Sequence, residues 1–401
     1  MSITIKSGAI PNTKLAKYLG VKEGAVRARR KKHEAGENSS YLEDLNNYRK
    51  NVLPFYTLSE YIEIEAVKNR DAIIEKMKTG IIPGVIQDNN SFIPTVANDF
   101  LDYVDSLKEH FPVVLASGNH KGGVAKTSNT INIAASLAFL GLKVLIVDFD
   151  PQGNSSQAFG IHEGDYKNTV IDLLFKLDEK DFETTLRDSI IDINIEDKFQ
   201  SKTQGKLHLL ANSDDMVDKV EELPSLSKLY GTVENTLHDL LKFIKSDYDI
   251  ILIDTPPRAD LLLRTAIMPC DYFMLSLKAE PFARTGMPKI IRNIKKYENA
   301  YKRLRGKEIA IIGGIVSQYE KSINLQETNY ELIKEDLDEC TNGTTSLFDT
   351  IIPKATVVQE AVQGDGAVLF HSPSDEIVKN FFDLSIEILE RILISKMSEE
   401  G

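Results

Sequence analysis

Aliphatic and polar positions follow different rhythms in the two parts of this chain. From about residue 111, short near-continuous aliphatic runs recur: PVVLAS, KVLIVD, DIILID and EIAIIGGIV. Each leads into a turn and then a helix-like stretch. Strands covered on both faces read this way, so the pattern predicts an α/β fold with a mostly parallel central sheet flanked by helices. Residues 111–401 are expected to form that domain. Residues 37–110 read as helical and irregular, with polar breaks at GENSS (36–40) and IPGVIQDNNSF (82–92). Residues 1–36 stand apart through their basic residues. In open α/β sheets ligands bind beyond the carboxyl ends of the strands, so the informative residues are sought just after those runs.

Composition adjusts this picture at a few points. A chain of 401 residues has room for two or three domains, and 42% hydrophobic with 27% charged residues excludes a mostly disordered or fibrous chain. There is no apolar run of the length a spanning helix needs. The opening MSITIKSGAIPNTK lacks the apolar core of a signal peptide. Cys270 and Cys340 match no disulfide framework or metal motif, so a reduced, cytoplasmic protein is expected. The net charge of −12 argues at first against nucleic acid as a partner. Residues 1–36, however, hold nine basic side chains against two acidic ones, a net +7 that leaves −19 for the rest. That asymmetry predicts a short DNA-facing element on an acidic body.

The strongest chemical signal follows the first run. Gly118-Asn119-His120-Lys121-Gly122-Gly123-Val124-Ala125-Lys126-Thr127-Ser128 joins a strand to a helical stretch, NTINIAASLAFLG. A glycine-rich turn at a helix start lets backbone N–H groups converge on phosphate oxygens at the positive end of the helix dipole. Gly122, Gly123, Val124, Ala125, Lys126, Thr127 and Ser128 are the expected nucleotide cradle. Lys126 would reach the β- and γ-phosphates, and the Thr127 hydroxyl would bind Mg²⁺. The strict G-x-x-x-x-G-K-[ST] spacing fails at both glycines, where His120 and Ala125 stand.

What remains, K-G-G-x-x-K-T, resembles the deviant Walker A motif of P-loop NTPases in the ParA/MinD superfamily, and the large plasmid-partition ParA proteins above all. Two further stretches resemble that family at matching spacing: Lys143-Val-Leu-Ile-Val-Asp148-Phe-Asp150-Pro-Gln-Gly153-Asn154, and Tyr248-Asp-Ile-Ile-Leu-Ile-Asp254-Thr-Pro-Pro257. The resemblance implies ATP/ADP with Mg²⁺ as cofactors and slow hydrolysis that a partner stimulates. It implies that Lys121 crosses a nucleotide-sandwiched homodimer to the other subunit's phosphates. Asp150 would position or activate the attacking water, Asp148 would support the metal and the loop, and Asp254 would hold the Mg²⁺ shell. Pro353, in Thr350-Ile-Ile-Pro353-Lys354, would lie near the adenine. The match runs over about residues 111–390, with its specific motifs in the first half.

The basic N-terminus carries a helix-turn-helix pattern. Ala16, Gly20, Val21 and Val26 stand at the offsets such a motif requires, with Leu15 and Leu19 facing inward. Arg29 occupies a position that is usually apolar, so the second helix is expected to end early or to pack through Ala28. Lys22, Arg27, Arg29, Arg30, Lys31 and Lys32 would then face groove and phosphates. The competing reading is a solvated helical pair serving only dimerisation. Large partition ATPases carry operator-binding N-terminal regions, which assigns residues 1–36 to DNA binding and 37–110 to a helical dimerisation or linker region. A second basic stretch, Lys289 to Lys307, is also net +7 and includes Arg303 and Arg305. The resemblance makes it a surface for non-specific nucleoid DNA; a merely solvated helix face is the alternative.

The function implied is DNA segregation by an ATPase homodimer. A ParB-type centromere-binding protein would stimulate it, operator DNA would be bound through the N-terminal region, and the protein would be nucleoid-associated. Two other readings stand beside this one: a MinD-like ATPase cycling on membranes, and a repressor whose ATPase fold only senses nucleotide. The membrane reading would need the 384–396 segment as an amphipathic anchor. Its polar face is not rich in Lys or Arg, so docking on the core is expected and a membrane partner is not.

Overall fold

The computed structural model describes residues 16, 19–35, 40, 55–56, 84–87, 91–96, 104, 107–119, 121–195, 205–213, 217–257, 261–305, 308–373 and 375–400. The chain divides into two compact units, Met1–Ser106 with Phe199–Thr203, and Leu107–Lys198 with Gln204–Gly401.

In the first unit, helix α1 spans Glu23–Glu34. Ahead of it Gly20 takes a left-handed backbone (φ 63°), and the Val21 N–H donates to the Ala16 carbonyl at 3.0 Å. Ala16 and Val26 are buried. The helix does not stop at Arg29 and does not pack through Ala28. Val26 alone supplies its buried apolar contact among the described residues, Ala28 is exposed, and the helix continues to Glu34. Leu15 lies outside the described residues.

Among the described residues of 37–110, a region expected to be helical and irregular, three strands stand where none was expected. Strands β1 (Phe55–Tyr56), β2 (Gly84–Gln87) and β3 (Ser91–Val96) form an antiparallel sheet in the order β1-β3-β2. The reason is legible in retrospect. In GVIQ and SFIPTV, Val, Ile and Phe recur, and Asp88-Asn89-Asn90 separates the two runs, which is the composition of a hairpin rather than of a polar break.

The second unit is built on seven strands. They are β4 (Val113–Gly118), β5 (Lys143–Asp148), β6 (Ile190–Asp192), β7 (Lys206–Leu210), β8 (Ile250–Asp254), β9 (Tyr272–Leu277) and β10 (Ala310–Val316). Their order is β10-β9-β4-β8-β5-β7-β6, and every pairing is parallel except β6 with β7. The expected mostly parallel sheet flanked by helices is thus the architecture observed. β4, β8 and β9 are buried along their whole length, as their unbroken aliphatic runs require.

Three helices carry or border the site, and a fourth packs on the last of them. They are α2 (Lys126–Phe139), α3 (Asn154–Ala158), α4 (Pro281–Arg305) and α5 (Asn324–Thr341). A fifth, α6 (Glu376–Glu400), closes the unit. Leu384, Ile388, Leu389 and Ile392 on α6 are buried, and Phe382 meets Phe139 of α2 edge to face at 5.5 Å. The face a membrane anchor would need is therefore spent on the core. Among the described residues no helix is long and apolar enough to cross a membrane.

A clasp fastens α6 to the sheet. The Arg391 guanidinium donates to the carbonyls of Ile312, Ser346 and Leu347 and to Glu387, and lies over the Phe348 ring at 4.1 Å. Glu387 in turn accepts the N–H groups of Asp349 and Thr350. Arg391→Ala strands three carbonyls and one arm of a largely buried carboxylate. It is expected to lower unfolding free energy by about 2–4 kcal/mol, read from denaturant titration. A loss below about 1 kcal/mol would mean that water replaces the guanidinium adequately.

Candidate active site

Strand β4 delivers the chain into the loop 119–125, and helix α2 begins at Lys126. The first turn of a helix leaves its N–H groups without intrahelical acceptors, so the loop and the start of α2 together face an anion with donors. Gly123 (φ 73°) and Ala125 (φ 64°) are both left-handed, and Ala125 is the residue immediately before the helix. Glycine adopts that conformation freely, whereas alanine pays roughly 1–2 kcal/mol. Ala125→Gly is therefore expected to raise unfolding free energy by roughly 0.5–1 kcal/mol, after allowing for the freer unfolded chain. Ala125→Val should lower it, because a β-branched side chain fits that region worse. Denaturant melts distinguish the three, and equal stability of Ala and Gly would contradict the strained loop.

The loop is tied to its surroundings by buried polar groups. Thr255 Oγ1 donates to the Ser117 carbonyl (2.7 Å), and the Ser117 and Ser276 hydroxyls bond to each other (2.7 Å). The Asn119 amide donates to the Ser276 carbonyl (2.6 Å) while its oxygen accepts the Lys121 N–H (3.2 Å). Three strand ends, β4, β8 and β9, thereby fix the loop from below.

The carboxylates lie at adjacent strand ends. Asp148 and Asp254 pair directly in the register of β5 and β8, and both are fully buried. Asp254 Oδ2 accepts from Thr127 Oγ1 (2.7 Å) and Ser155 Oγ (2.8 Å). Asp148 Oδ2 accepts both the N–H and the hydroxyl of Ser156 (2.8 and 2.7 Å), so it anchors the start of α3. Burial first, then the neighbouring Asp254 charge, push the Asp148 carboxyl up. Burial also raises Asp254, against the Thr127 hydrogen bond and the Lys126 charge. Lys126 is 7% exposed; burial pulls its ammonium down, and the charges of Asp254 and Asp150 pull it back. Asp150 is buried, its Oδ1 accepting the Gln152 N–H (3.1 Å) and its carbonyl the Asn212 amide (3.2 Å). Gly153, left-handed at φ 61°, sits where a Cβ would come within 2.8 Å of the Asn212 carbonyl.

The oxygen set fits a hard cation. Thr127 and Ser155 offer hydroxyls, and Asp254 Oδ1 is buried with no hydrogen-bond partner among the described residues. Among the described residues no group of three or more His, Cys, Asp or Glu is placed to hold a metal ion by itself.

Lys121 stands on the exposed rim of the loop, its ammonium 2.8 Å from Glu280 Oε2. Pro353 is exposed, and a bridge pairs it with Tyr319 beyond β10. In the first unit Lys22, Arg27, Lys31 and Lys32 are exposed, Arg29 and Arg30 half-buried, and Arg27 is paired with Glu23 at 2.7 Å. On α4, Lys289, Arg292 and Lys296 are exposed, while the side chains of Arg303 and Arg305 lie outside the described residues. Sequence reasoning did not single out Ser155, Ser156, Asn212 or Glu280 as site residues. The two serines were findable, since small hydroxyl residues follow Gly153 at the start of α3; the other two reach the site only through long-range packing.

A glycine-rich loop between a parallel strand and a helix, with aspartates ending two neighbouring strands, defines a P-loop NTPase. Comparison with known proteins narrows this. Residues 113–305 match the family model described as AAA domain. The chromosome-partitioning ATPase Soj of Treponema pallidum is 30% identical over 245 residues, 61% of this chain and 83% of that protein. The sporulation initiation inhibitor protein Soj of Bacillus subtilis is 26% identical over 279 residues, 69% of this chain and 97% of that protein. Among solved structures, apo McdA of Cyanothece superposes with a TM-score of 0.54 at 17% identity, over 70% of this chain and 99% of that one. The chain belongs to the ParA-type partition ATPases of the ParA/MinD superfamily.

Proposed function

We propose that this protein is an ATP-hydrolysing DNA-segregation ATPase working as a nucleotide-sandwiched homodimer. The observation that carries the reading is the meeting of buried Lys126 with Asp150 and Asp254 at the start of α2, with Lys121 on the exposed rim of the loop. Phosphoryl transfer asks little more of a protein than positioning and charge stabilisation. The N–H groups of residues 122–128 hold the phosphate oxygens, Lys126 neutralises charge developing between them, and Asp150 orients the attacking water. Thr127 and Asp254 are the residues that would hold Mg²⁺, which when bound would neutralise phosphate charge. Asp148 acts one step back, holding α3 and hence the turn that carries Asp150. Lys121 reaches the phosphates of the second subunit, so turnover requires two copies.

The partners follow from charge. α4 carries exposed Lys289, Arg292 and Lys296 at helical spacing on one side, continued in sequence by Arg303 and Arg305. A surface of phosphate-only contacts binds DNA without sequence preference and with steep salt dependence. Charge reversal at Lys289 and Arg292 is expected to weaken ATP-dependent binding to random DNA at least 10-fold and to flatten its salt slope. Unchanged binding would return α4 to a solvated face. The N-terminal unit, with Val26 and Ala16 buried around the Gly20 turn, supports a helix-turn-helix that binds operator DNA and represses the protein's own operon. A ParB-type centromere-binding protein would stimulate hydrolysis, and the protein would work on the nucleoid in the cytoplasm.

The deciding experiment is steady-state ATP hydrolysis with random DNA and the product of the neighbouring gene, separately and together. Strong joint stimulation is expected. Specific operator binding with no stimulated turnover would instead indicate a nucleotide-sensing repressor.

A further inference from the structure

The loop lysine that the sandwich needs is already occupied. Lys121 Nζ donates to Glu280 Oε2 at 2.8 Å and sits over the Phe282 ring, 5.2 Å from its centroid. Lys121 belongs to the phosphate loop, whereas Glu280 and Phe282 frame the start of α4, 159 and 161 residues further on. The acceptor is firmly placed: Ala279 beside it is buried, and the Glu280 carbonyl accepts the Ala283 N–H (2.9 Å) as the helix begins. The hydrogen bond from Lys121, then its charge and that of Lys278, hold the Glu280 carboxyl below the usual carboxylate range. The Phe282 ring is 70% exposed and makes a platform for the lysine stem and head.

An ammonium spent on Glu280 is not free for the phosphates of another subunit. We propose that Glu280 and Phe282 form a cis clasp on Lys121 that must open in both subunits before the nucleotide sandwich closes, making Glu280 a positioning residue that sets the closing threshold. This rests on the sandwich reading above. The partners are about half exposed, so the clasp is a bias and not a lock. An ion pair of this kind shifts an equilibrium by roughly 2–5-fold. Because both copies must open, the closing equilibrium shifts by roughly the square, 4–25-fold. Salt weakens the clasp, since exposed pairs are screened.

Two measurements on the full chain test it. The first reads the clasp without any dimer: the rate of acylation of Lys121 in nucleotide-free protein, followed by peptide mass spectrometry. Glu280→Gln, Glu280→Ala and Phe282→Ala should each change that rate relative to wild type, with an untouched exposed lysine, Lys289, as the internal control. An unchanged Lys121 rate in the Glu280 variants overturns the clasp. The second reads closure: the fraction of a fluorescent, non-hydrolysable ATP analogue that dissociates in a slow, trapped phase. Glu280→Gln and Glu280→Ala should increase the closing constant about 4–25-fold, and Lys121→Ala should abolish the slow phase. A smaller trapped fraction in the Glu280 variants overturns the proposal, because it would mean that Glu280 receives the lysine of the other subunit. A slow phase that survives Lys121→Ala overturns the sandwich reading instead, while the acylation result still decides whether the clasp exists.

Discussion

Lys126→Ala is expected to cut the ATPase kcat by at least about 10²–10³-fold and to weaken nucleotide binding at the same time. The side chain is almost fully buried, with the carboxylates of Asp254 and Asp150 close enough to act on its charge. Its effect is large because the ammonium acts in a water-poor site, where a fixed charge stabilises developing phosphate charge more than it would in bulk solvent. Lys126→Arg should fare little better: a larger planar guanidinium replaces a side chain that is only 7% exposed. The measurement is phosphate release alongside calorimetric nucleotide binding, since the chain has no Trp to report on the site. Loss of activity counts only if the variant melts cooperatively, because removing the cation also leaves two buried carboxyls to each other. Activity within 10-fold of wild type would remove this loop from the reaction.

Asp150→Ala is expected to separate the two quantities that Lys126→Ala moves together. Hydrolysis should fall by roughly 10²–10⁴-fold, while nucleotide affinity stays within a few-fold. The geometry gives the reason. Asp150 is held from the turn that leads into α3, through the Gln152 N–H and the Asn212 amide, and it is no part of the donor loop. It can orient a water molecule, but it contributes little to holding phosphate. Asp150→Asn keeps the shape and one acceptor and should recover part of the folding stability without recovering rate. Equal losses in affinity and rate would show that Asp150 belongs to the binding site and not to the reaction.

Most of this chemistry is local in the chain, which is why it is legible there. Lys121, Lys126 and Thr127 fall within seven consecutive residues, and Asp148 and Asp254 each end an aliphatic run that announces its strand. The parallel sheet follows from those same runs. Strand order does not, because β4 lies between β9 and β8 through pairings that no local pattern encodes. Nor does the network beneath the loop, where Ser117 and Asn119 meet Ser276 across 159 and 157 positions. Nothing local to Glu280 names its partner until the fold brings Lys121 to it. The three-stranded sheet was missed for a different reason. Its strands are short, and the polar Asp88-Asn89-Asn90 between two of them interrupts the Val and Ile pattern on either side.

Helix α2 gives the site its mechanical character. Twelve of its fourteen residues are buried, with α6 packed along it, and the Asn132 side chain binds both the Ser128 carbonyl and the Val368 N–H. The phosphate loop is therefore the capped end of a strut running through the core, and it cannot travel without disturbing the whole unit. The turn carrying Asp150, by contrast, leads into the short α3, which Ser155 and Ser156 hold to Asp254 and Asp148, while the Asn212 amide holds the Asp150 carbonyl. In hydrogen exchange, the amides of α2 should open only with global unfolding, and those of 150–156 through cheaper local excursions. The molecule is an anvil with a small hammer: the phosphate loop belongs to the part that holds still, and the turn carrying Asp150 to the part that can move.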